Sequence, residues 1–501
     1  MMILRPYQVD FIANYECATE AGRKRIIGVA PTGAGKTIIA SEIIRAAVAA
    51  HRRVLVLAHR REIIAQTSAK LHEHGIGHGI IQAGFSPRPL EPVQLASVQT
   101  LHRRGIHSDV MDLPIAHLLI VDECHHSTAQ TWRDIINAYP DATLLGLTAT
   151  PCRGDGRGLG GIFETLIECP QVGELIKQGY LLPTRTYAPV NPDLTGVRIQ
   201  AGDYVESQLA ARMDQPKLVG DIVHNWHKHG EGRRTVIFAT GVGHSIHIRD
   251  EFVRLGVRAE HIDGATPKPE RDATLSRLGD GTIQIVTNCM VLTEGWDMPD
   301  VGCCILARPT RKMGLYRQMI GRVLRPAKDK TDAIVIDHSG AVFRHGFAED
   351  PVEWTLDPER CAENRKHEKR SERGSEQRML ECSQCSALRT AGEPCPHCGF
   401  LPQRPPRSIN VIDGELGLVE GGRAQGKIYS PEERSRWHSM LSHIAHERSY
   451  KPGWVAHQYR KKFGSFPAWG SSPQPIAPTP EVRSWVRSRQ IAYARAQAGA
   501  P

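Results

Sequence analysis

Residues 121–126 read VDECHH, two carboxylates, a thiol and two imidazoles almost in succession, a set suited to zinc or, through its acids alone, to magnesium and a water. Upstream, GVAPTGAGKT at 28–37 runs an apolar strand into a glycine-bearing loop and then into the helix-forming IIASEIIRAAVAA. Gly33 and Gly35 let such a loop turn tightly and aim backbone N–H groups inward. The helix N-terminus adds positive potential, so Thr32, Gly33, Ala34, Gly35, Lys36 and Thr37 read as a phosphate cradle. Lys36 would reach the β- and γ-phosphates of a nucleotide and Thr37 would ligate Mg²⁺. Position 30 is Ala where the general pattern has Gly.

A phosphate loop changes the meaning of VDECHH. A loop of this kind works with an acid at a strand end that helps to hold Mg²⁺, a role for Asp122, and Glu123 would orient and deprotonate the attacking water. Consecutive strand residues point to opposite faces, so the five side chains cannot meet one ion without a sharp turn. The clear metal signal lies elsewhere. Cys382-x₂-Cys385-x₉-Cys395-x₂-Cys398 has the spacing of two knuckles that close a tetrahedral Zn²⁺ site, and four thiolates leave no open position for catalysis.

These groups need elements to hold them. Across the first 345 residues the runs RRVLVLAH, HLLIVDE, ATLLGLTAT, RTVIFAT, IQIVTN, VGCCILA and AIVID alternate with helix-like stretches. They read as buried strands of parallel α/β sheets, in which ligand groups gather at strand ends. The pattern runs through twice. The expected fold is therefore α/β, with two tandem parallel-sheet domains over 1–184 and 215–350 joined by a connecting segment, 185–214. A mixed-charge linker helix over 351–378, a zinc ribbon over 379–402 and a basic region over 403–501 complete the expected order. From Arg404 onward there are 15 Lys/Arg, 7 Asp/Glu and four of the eight tryptophans, a composition suited to phosphate pairing and base stacking or to a loosely folded tail. YKPGWVAHQYRKKFGSFPAW at 450–469 reads equally as a stacking surface or as a small helical domain with an aromatic core.

No apolar run approaches the roughly 20 residues that span a bilayer, and the N-terminus lacks a secretory pattern, so a cytoplasmic chain is expected. Twelve cysteines in a reducing compartment point to metal rather than disulfide.

Over residues 3–345 the chain resembles the superfamily 2 helicases and translocases of the DEAD/DEAH-box kind, because several motifs occur in the family's order. LRPYQ (4–8) looks like the adenine-recognition segment, which implies Gln8 as a base contact; APTGAGKT and DECH match the phosphate loop and the Mg²⁺ motif. LAHRREIIAQ (57–66) and SVQTL (97–101) resemble the strand-contacting segments, implying His59, Arg60, Gln99 and Thr100 as nucleic-acid contacts; VIFATGVGHS adds Thr240. LTATP (147–151) resembles the coupling motif, with Thr148 and Thr150 linking hydrolysis to movement and His125 communicating with them. LTEGWDMPDV (292–301) implies Gly295 and Asp297 near the nucleotide. YRQMIGRVLRP (316–326) implies Gln318, Arg322 and Arg325 at the domain interface, where Gly321 would allow close backbone approach. The two arginines are expected on one helical face, pointing together at a γ-phosphate. The resemblance thus implies two RecA-like lobes, ATP and catalytic Mg²⁺ between them, and a nucleic-acid partner, DNA favoured over RNA, while the cysteine spacing implies structural Zn²⁺. A protein partner for the ribbon or tail, and no membrane, complete the expectation. Two other readings stay open: a recruiting protein that uses the lobes as a nucleotide switch, and a metal-dependent hydrolase or nuclease built on DECHH. His126 is assigned no role.

Overall fold

The computed structural model describes residues 4–108, 110–153, 157–188, 192–293, 296–357, 379–401, 429–451, 453–468 and 473–498. Strands apolar on both faces must be covered on both faces, and the first lobe meets that demand with helices around one parallel sheet. Its strands are β1 (Arg25–Val29), β2 (Val54–Ala58), β3 (His78–Ile81), β4 (Val93–Ser97), β5 (Leu118–Asp122), β6 (Thr143–Thr148) and β7 (Thr165–Glu168), in the order β3-β4-β2-β5-β6-β1-β7. Val54–Leu57 of β2 pair with Leu118–Val121 of β5, and Leu118–Asp122 with Thr143–Leu147 of β6. Because every pairing is parallel, the C-terminal ends of β4, β2, β5, β6 and β1 share one edge.

The second lobe repeats the plan. β8 (Thr184–Tyr187), β11 (Thr235–Phe238), β12 (Ala259–Ile262), β13 (Ile285–Asn288), β14 (Cys303–Leu306) and β15 (Ala333–Asp337) form a parallel sheet in the order β12-β13-β11-β14-β15-β8. Residues 185–187 of β8 were expected in the connecting segment. As an edge strand β8 buries only Thr186 and Tyr187, so TRTY carries no apolar run to mark it. The rest of that segment includes a short hairpin, β9 (Ile199–Gln200) with β10 (Asp203–Tyr204), and the helix Glu206–Met213. The Asp203 carboxylate ties it to the second lobe, accepting from the Thr310 hydroxyl at 2.7 Å and the Arg311 N–H at 2.8 Å.

After the second sheet the chain returns to the first lobe. The Gln171 carboxamide clasps Val352 from both sides, its Nε2 donating to the carbonyl at 2.7 Å and its Oε1 accepting from the N–H at 2.8 Å. Gly158 N–H donates to the Asp357 carbonyl at 3.1 Å. Residues 351–357 form no helix, and the remainder of the expected linker helix, 358–378, lies outside the described residues.

β16 (Met379–Glu381) and β17 (Leu388–Thr390) make an antiparallel hairpin. Ala387 and Cys385 pack into the same cluster as Tyr187 and Trp226, which fixes the hairpin to the second lobe. A separate compact unit spans Pro405–Pro501. Its helices Pro431–Glu447, Trp454–Phe463 and Pro480–Ala498 enclose Trp437, Leu441, Tyr459 and Val482, with Trp454, Phe463 and Trp485 against them. Of the two readings of 450–469, the aromatic core accounts for Trp454, Tyr459 and Phe463; Phe466 is exposed, and Trp469 lies outside the described residues. Among the described residues no helix is long and apolar enough to cross a membrane.

Candidate active site

The loop after β1 is shaped by two left-handed glycines, Gly33 at φ 91° and Gly35 at φ 86°, a region that side chains adopt only at a cost. Gly35 caps the helix Lys36–Ala49, so the unpaired N–H groups of its first turn open toward the loop. Crowding also requires the glycines. A Cβ on Gly35 would lie 2.5 Å from Gln8 Nε2, and one on Gly33 would lie 2.9 Å from Leu181 and 3.4 Å from Arg325 Cγ. Ala34 and Thr32 are buried beneath this turn, and Thr37 is half-buried at the helix start. Gln8 supports the loop: it is 1% exposed, its Nε2 donates to the Ala34 carbonyl at 3.1 Å, and its Oε1 accepts from Arg5 N–H at 3.0 Å. The expected base contact is therefore engaged within the chain.

β5 ends beside the loop. Asp122 Oδ1 accepts from the Glu123 N–H at 3.0 Å, and Lys36 Nζ stands 3.5 Å from Glu123 Oε1. Glu123 has φ 50°, an uncommon conformation for a residue with a side chain, held here by a 3-10 turn over Cys124–His126. Such local strain is characteristic of functional sites and turns the carboxylate toward Lys36 instead of along the strand. His125 Nδ1 lies 3.5 Å from Glu123 Oε2 and 3.2 Å from the Thr148 hydroxyl. That hydroxyl accepts from Thr150 N–H and donates to the Thr150 carbonyl, both at 3.1 Å. Lys36, Asp122, Glu123, His125, Thr148 and Thr150 are thus brought together at the sheet edge. Cys124 is fully buried, in contact range of the space above Gly146, and acts as filler.

Across the cleft the expected arginine pair is not as expected. The helix Met313–Gly321 ends before Arg322, so the two arginines share no helical face. Pro326 follows Arg325, and the residue before a proline is pushed away from helical geometry. Arg322 is 8% exposed and turned into its own lobe, where Nη1 donates to the Trp296 carbonyl at 2.6 Å and Nη2 to the Thr293 carbonyl at 2.6 Å. Arg325 instead faces the phosphate loop at Gly33 and pairs with Asp297. Gln318 is buried within the helix, and Gly295 lies outside the described residues. Gly321 meets Thr32 so closely that a Cβ would lie 2.5 Å from the threonine Cβ. A lysine that the sequence motifs do not mark holds this region together. Lys330 Nζ lies 2.8–2.9 Å from the carbonyls of Pro299, Val301, Val323 and Arg325, its three N–H groups shared among the four acceptors.

His59 and Arg60 follow β2, and Gln99 and Thr100 lie in the turn Val98–Leu101 after β4, so all four sit at the same sheet edge as the loop. Arg60 Nε donates to His59 Nε2 at 3.2 Å, and Gln99 Nε2 to the His59 carbonyl at 3.4 Å. A cleft of about 620 Å³ runs from Arg60 to the second lobe, lined there by Lys268, Arg271, Met290, Trp296 and Asp297. Thr240 does not join it. It is 1% exposed and its hydroxyl is bonded to His244 Nδ1 at 2.8 Å, because the turn after β11 folds back on its own helix.

Cys382, Cys385, Cys395 and Cys398 place their sulfurs within 4.8 Å of one another; Cys382 and Cys398, and likewise Cys385 and Cys395, are 3.6 Å apart. Tetrahedral Zn–S bonds of about 2.3 Å imply sulfur separations near 3.8 Å, so the cluster fits a zinc ribbon. Both knuckles follow their second cysteine with a left-handed residue, Ser386 at φ 60° and Gly399 at φ 70°. Among the described residues this is the one group of three or more such donors; DECHH does not form another.

A phosphate loop, a strand-end acid pair and an arginine from the second lobe facing that loop define a two-lobed ATPase. The comparisons give the family. The model described as type III restriction enzyme, res subunit, matches residues 1–153, and the helicase conserved C-terminal domain matches 214–327. A 51.5 kDa protein of a Lactococcus phage is 31% identical over 80% of this chain and 84% of its own length. The Saccharomyces cerevisiae protein named as the ATP-dependent helicase IRC3 is 31% identical over 68% of this chain and 52% of its own. Among solved structures, a fragment of an HsdR subunit of a type I restriction enzyme from Vibrio vulnificus matches with TM-score 0.56 and 23% identity, over 72% of this chain and 68% of that one. The type ISP restriction-modification enzyme LlaBIII bound to DNA matches with TM-score 0.52 and 16% identity, over 67% of this chain and 27% of that one. The chain belongs to the superfamily 2 helicases and is an ATP-hydrolysing enzyme of that superfamily.

Proposed function

We propose that this protein moves along a nucleic-acid strand, DNA in preference to RNA, by coupling Mg·ATP hydrolysis to the relative movement of its two lobes. The observation that carries the reading is the single edge on which both groups converge. The ATP residues end β1, β5 and β6 while the strand-contacting segments end β2 and β4, and the cleft from Arg60 continues to Lys268 and Arg271 on the second lobe. Basic side chains lining both walls suit a phosphate backbone lying across both lobes. The preference for DNA is supported by the motif likeness to restriction motors and by the DNA in the LlaBIII complex.

In this reading the N–H groups of 33–37 and the Lys36 ammonium hold the phosphates, Glu123 orients and deprotonates the attacking water, and Arg325 meets the developing charge from across the cleft. The loop hydroxyl and strand-end acid are hard oxygen donors that suit magnesium: Thr37 would hold it, and Asp122 through its water shell. Bound there, the ion would neutralise charge on the β- and γ-oxygens. For Arg325 to reach a phosphate it must release Asp297, so nucleotide binding and the loop 296–301 are linked. Thr148, bonded to His125 and to Thr150, carries the state of the Glu123 carboxylate toward Gly314 of the second lobe, where a Cβ would lie 2.9 Å from the Thr150 hydroxyl. The four cysteines take one structural Zn²⁺, and the ribbon and the C-terminal unit supply contacts to nucleic acid or a protein partner in a cytoplasmic setting.

The recruiter reading makes turnover dispensable. The discriminating experiment is strand-displacement or triplex-displacement activity with ATP in Lys36→Ala and in a chain lacking 379–501. The motor reading expects the first to be inactive and the second to retain ATP hydrolysis; displacement by Lys36→Ala would refute it.

A further inference from the structure

The ring of His126 lies between two other imidazoles. Its centroid is 4.4 Å from that of His59, tilted 58°, and 4.1 Å from that of His125, tilted 41°. β2 and β5 are neighbours in one parallel sheet, so the residues that follow them emerge side by side. At one end of the series, His59 Nε2 accepts from Arg60 Nε at 3.2 Å, and Arg60 lines the cleft between the lobes. At the other end, His125 stands 3.5 Å from Glu123 Oε2 and 3.2 Å from the Thr148 hydroxyl. The backbone adds a second link, since His126 N–H donates to the Glu123 carbonyl at 3.1 Å, within the turn that holds Glu123 at φ 50°.

We infer that His126 is a positioning residue that transmits occupancy of the strand cleft at Arg60 to the hydrolytic carboxylate of Glu123. A backbone phosphate at Arg60 competes for the Nε–H that His59 now accepts. His59 then changes its tilt, and the His126 ring packed against it shifts with it. His126 moves with the 3-10 turn 124–126, and that turn sets both His125 and the direction of the Glu123 carboxylate. The rings act here by packing and by their place in the turn, so a flat ring of another kind serves in their stead. The proposal rests on the reading of this chain as a nucleic-acid-stimulated ATPase.

The test measures steady-state ATP turnover of the full chain, with and without a saturating single-stranded DNA oligonucleotide, in the wild type, His126→Ala, His126→Phe, Arg60→Ala and the Arg60→Ala/His126→Ala double variant. Thermal melting of each variant separates loss of fold from loss of coupling. His126→Ala is expected to keep basal turnover and oligonucleotide affinity within about twofold while its stimulation falls about tenfold, a mid-range coupling between sites. His126→Phe is expected to recover most of the stimulation, and the double variant to be no worse than the weaker single one, since both changes cut one series. The inference is overturned if His126→Ala is stimulated like the wild type, if basal and stimulated turnover fall in equal proportion, or if the two single effects multiply in the double variant. Absence of stimulation in the wild type itself overturns the nucleic-acid reading and the inference with it.

Discussion

Arg322 and Arg325 are three residues apart and answer to different forces. Arg322 is buried with its guanidinium on two backbone carbonyls of the loop after β13, so its removal leaves those acceptors unsatisfied; we expect Arg322→Ala to cost roughly 3 kcal/mol of stability, read as a lowered Tm. Arg325 faces Gly33 and pairs with Asp297, so Arg325→Ala should leave Tm nearly unchanged and lower kcat by roughly 10³-fold. The reverse assignment would show Arg322 to be the residue that meets the phosphate. Glu123→Gln should keep ATP binding and lose turnover by about 10²- to 10⁴-fold, checked by nucleotide titration beside a hydrolysis assay. The placement of Lys36, Thr37, Asp122 and Glu123 was legible in the sequence because it is set by neighbours along the chain: a glycine loop before a helix, an acid pair after an apolar strand. Arg322 was not, since its direction depends on a loop some 29 residues upstream and on where the helix stops. Thr240 was not legible for a local reason: the turn after β11 folds back, so its hydroxyl is bonded to His244 four residues on.

At the scale of elements, the parallel sheets were legible from their apolar runs, and β8 was missed because an edge strand buries too little to leave a pattern. Lys330 belongs to this scale. Its ammonium joins the loop before β14 to the segment carrying Arg325 through four carbonyls, an arrangement with no signature in spacing because the acceptors are backbone atoms. Lys330→Met should lower both Tm and kcat, the latter roughly tenfold, because the Arg325 segment loses its anchor while the phosphate loop is intact. Unchanged turnover with a normal Tm would show that the loop is held by packing alone. The cysteine knuckles form an element that was fully legible, their spacing being local. Cys382→Ser should remove one equivalent of zinc, measured by metal analysis, and leave ATP hydrolysis within about twofold, since the hairpin packs on Tyr187 and Trp226 of the second lobe. Retention of the metal in that variant would remove the ribbon reading.

For the two lobes together, the sequence implied an ATP cleft, and the structure adds how the cleft is closed. Gly321 against Thr32 and Gly314 against Thr150 are close enough that side chains could not replace the glycines without movement, Arg325 lies over Gly33, and the Gln171 clasp on Val352 ties the returning chain to the first lobe. Such contacts couple the state of the phosphate loop to the position of the second lobe through packing that has few alternatives. Long-range contacts of this kind leave only single small residues in the sequence, which is why Gly321 could be read from its motif and the Gln171 clasp could not. The central claim, a motor in which strand occupancy and ATP hydrolysis are coupled across this cleft, is met most directly by ATP turnover at fixed salt with no nucleic acid, single-stranded DNA, duplex DNA and RNA. Turnover should rise with DNA more than with RNA and fall at least about 10²-fold in Glu123→Gln under every condition; turnover indifferent to all three nucleic acids would contradict the claim.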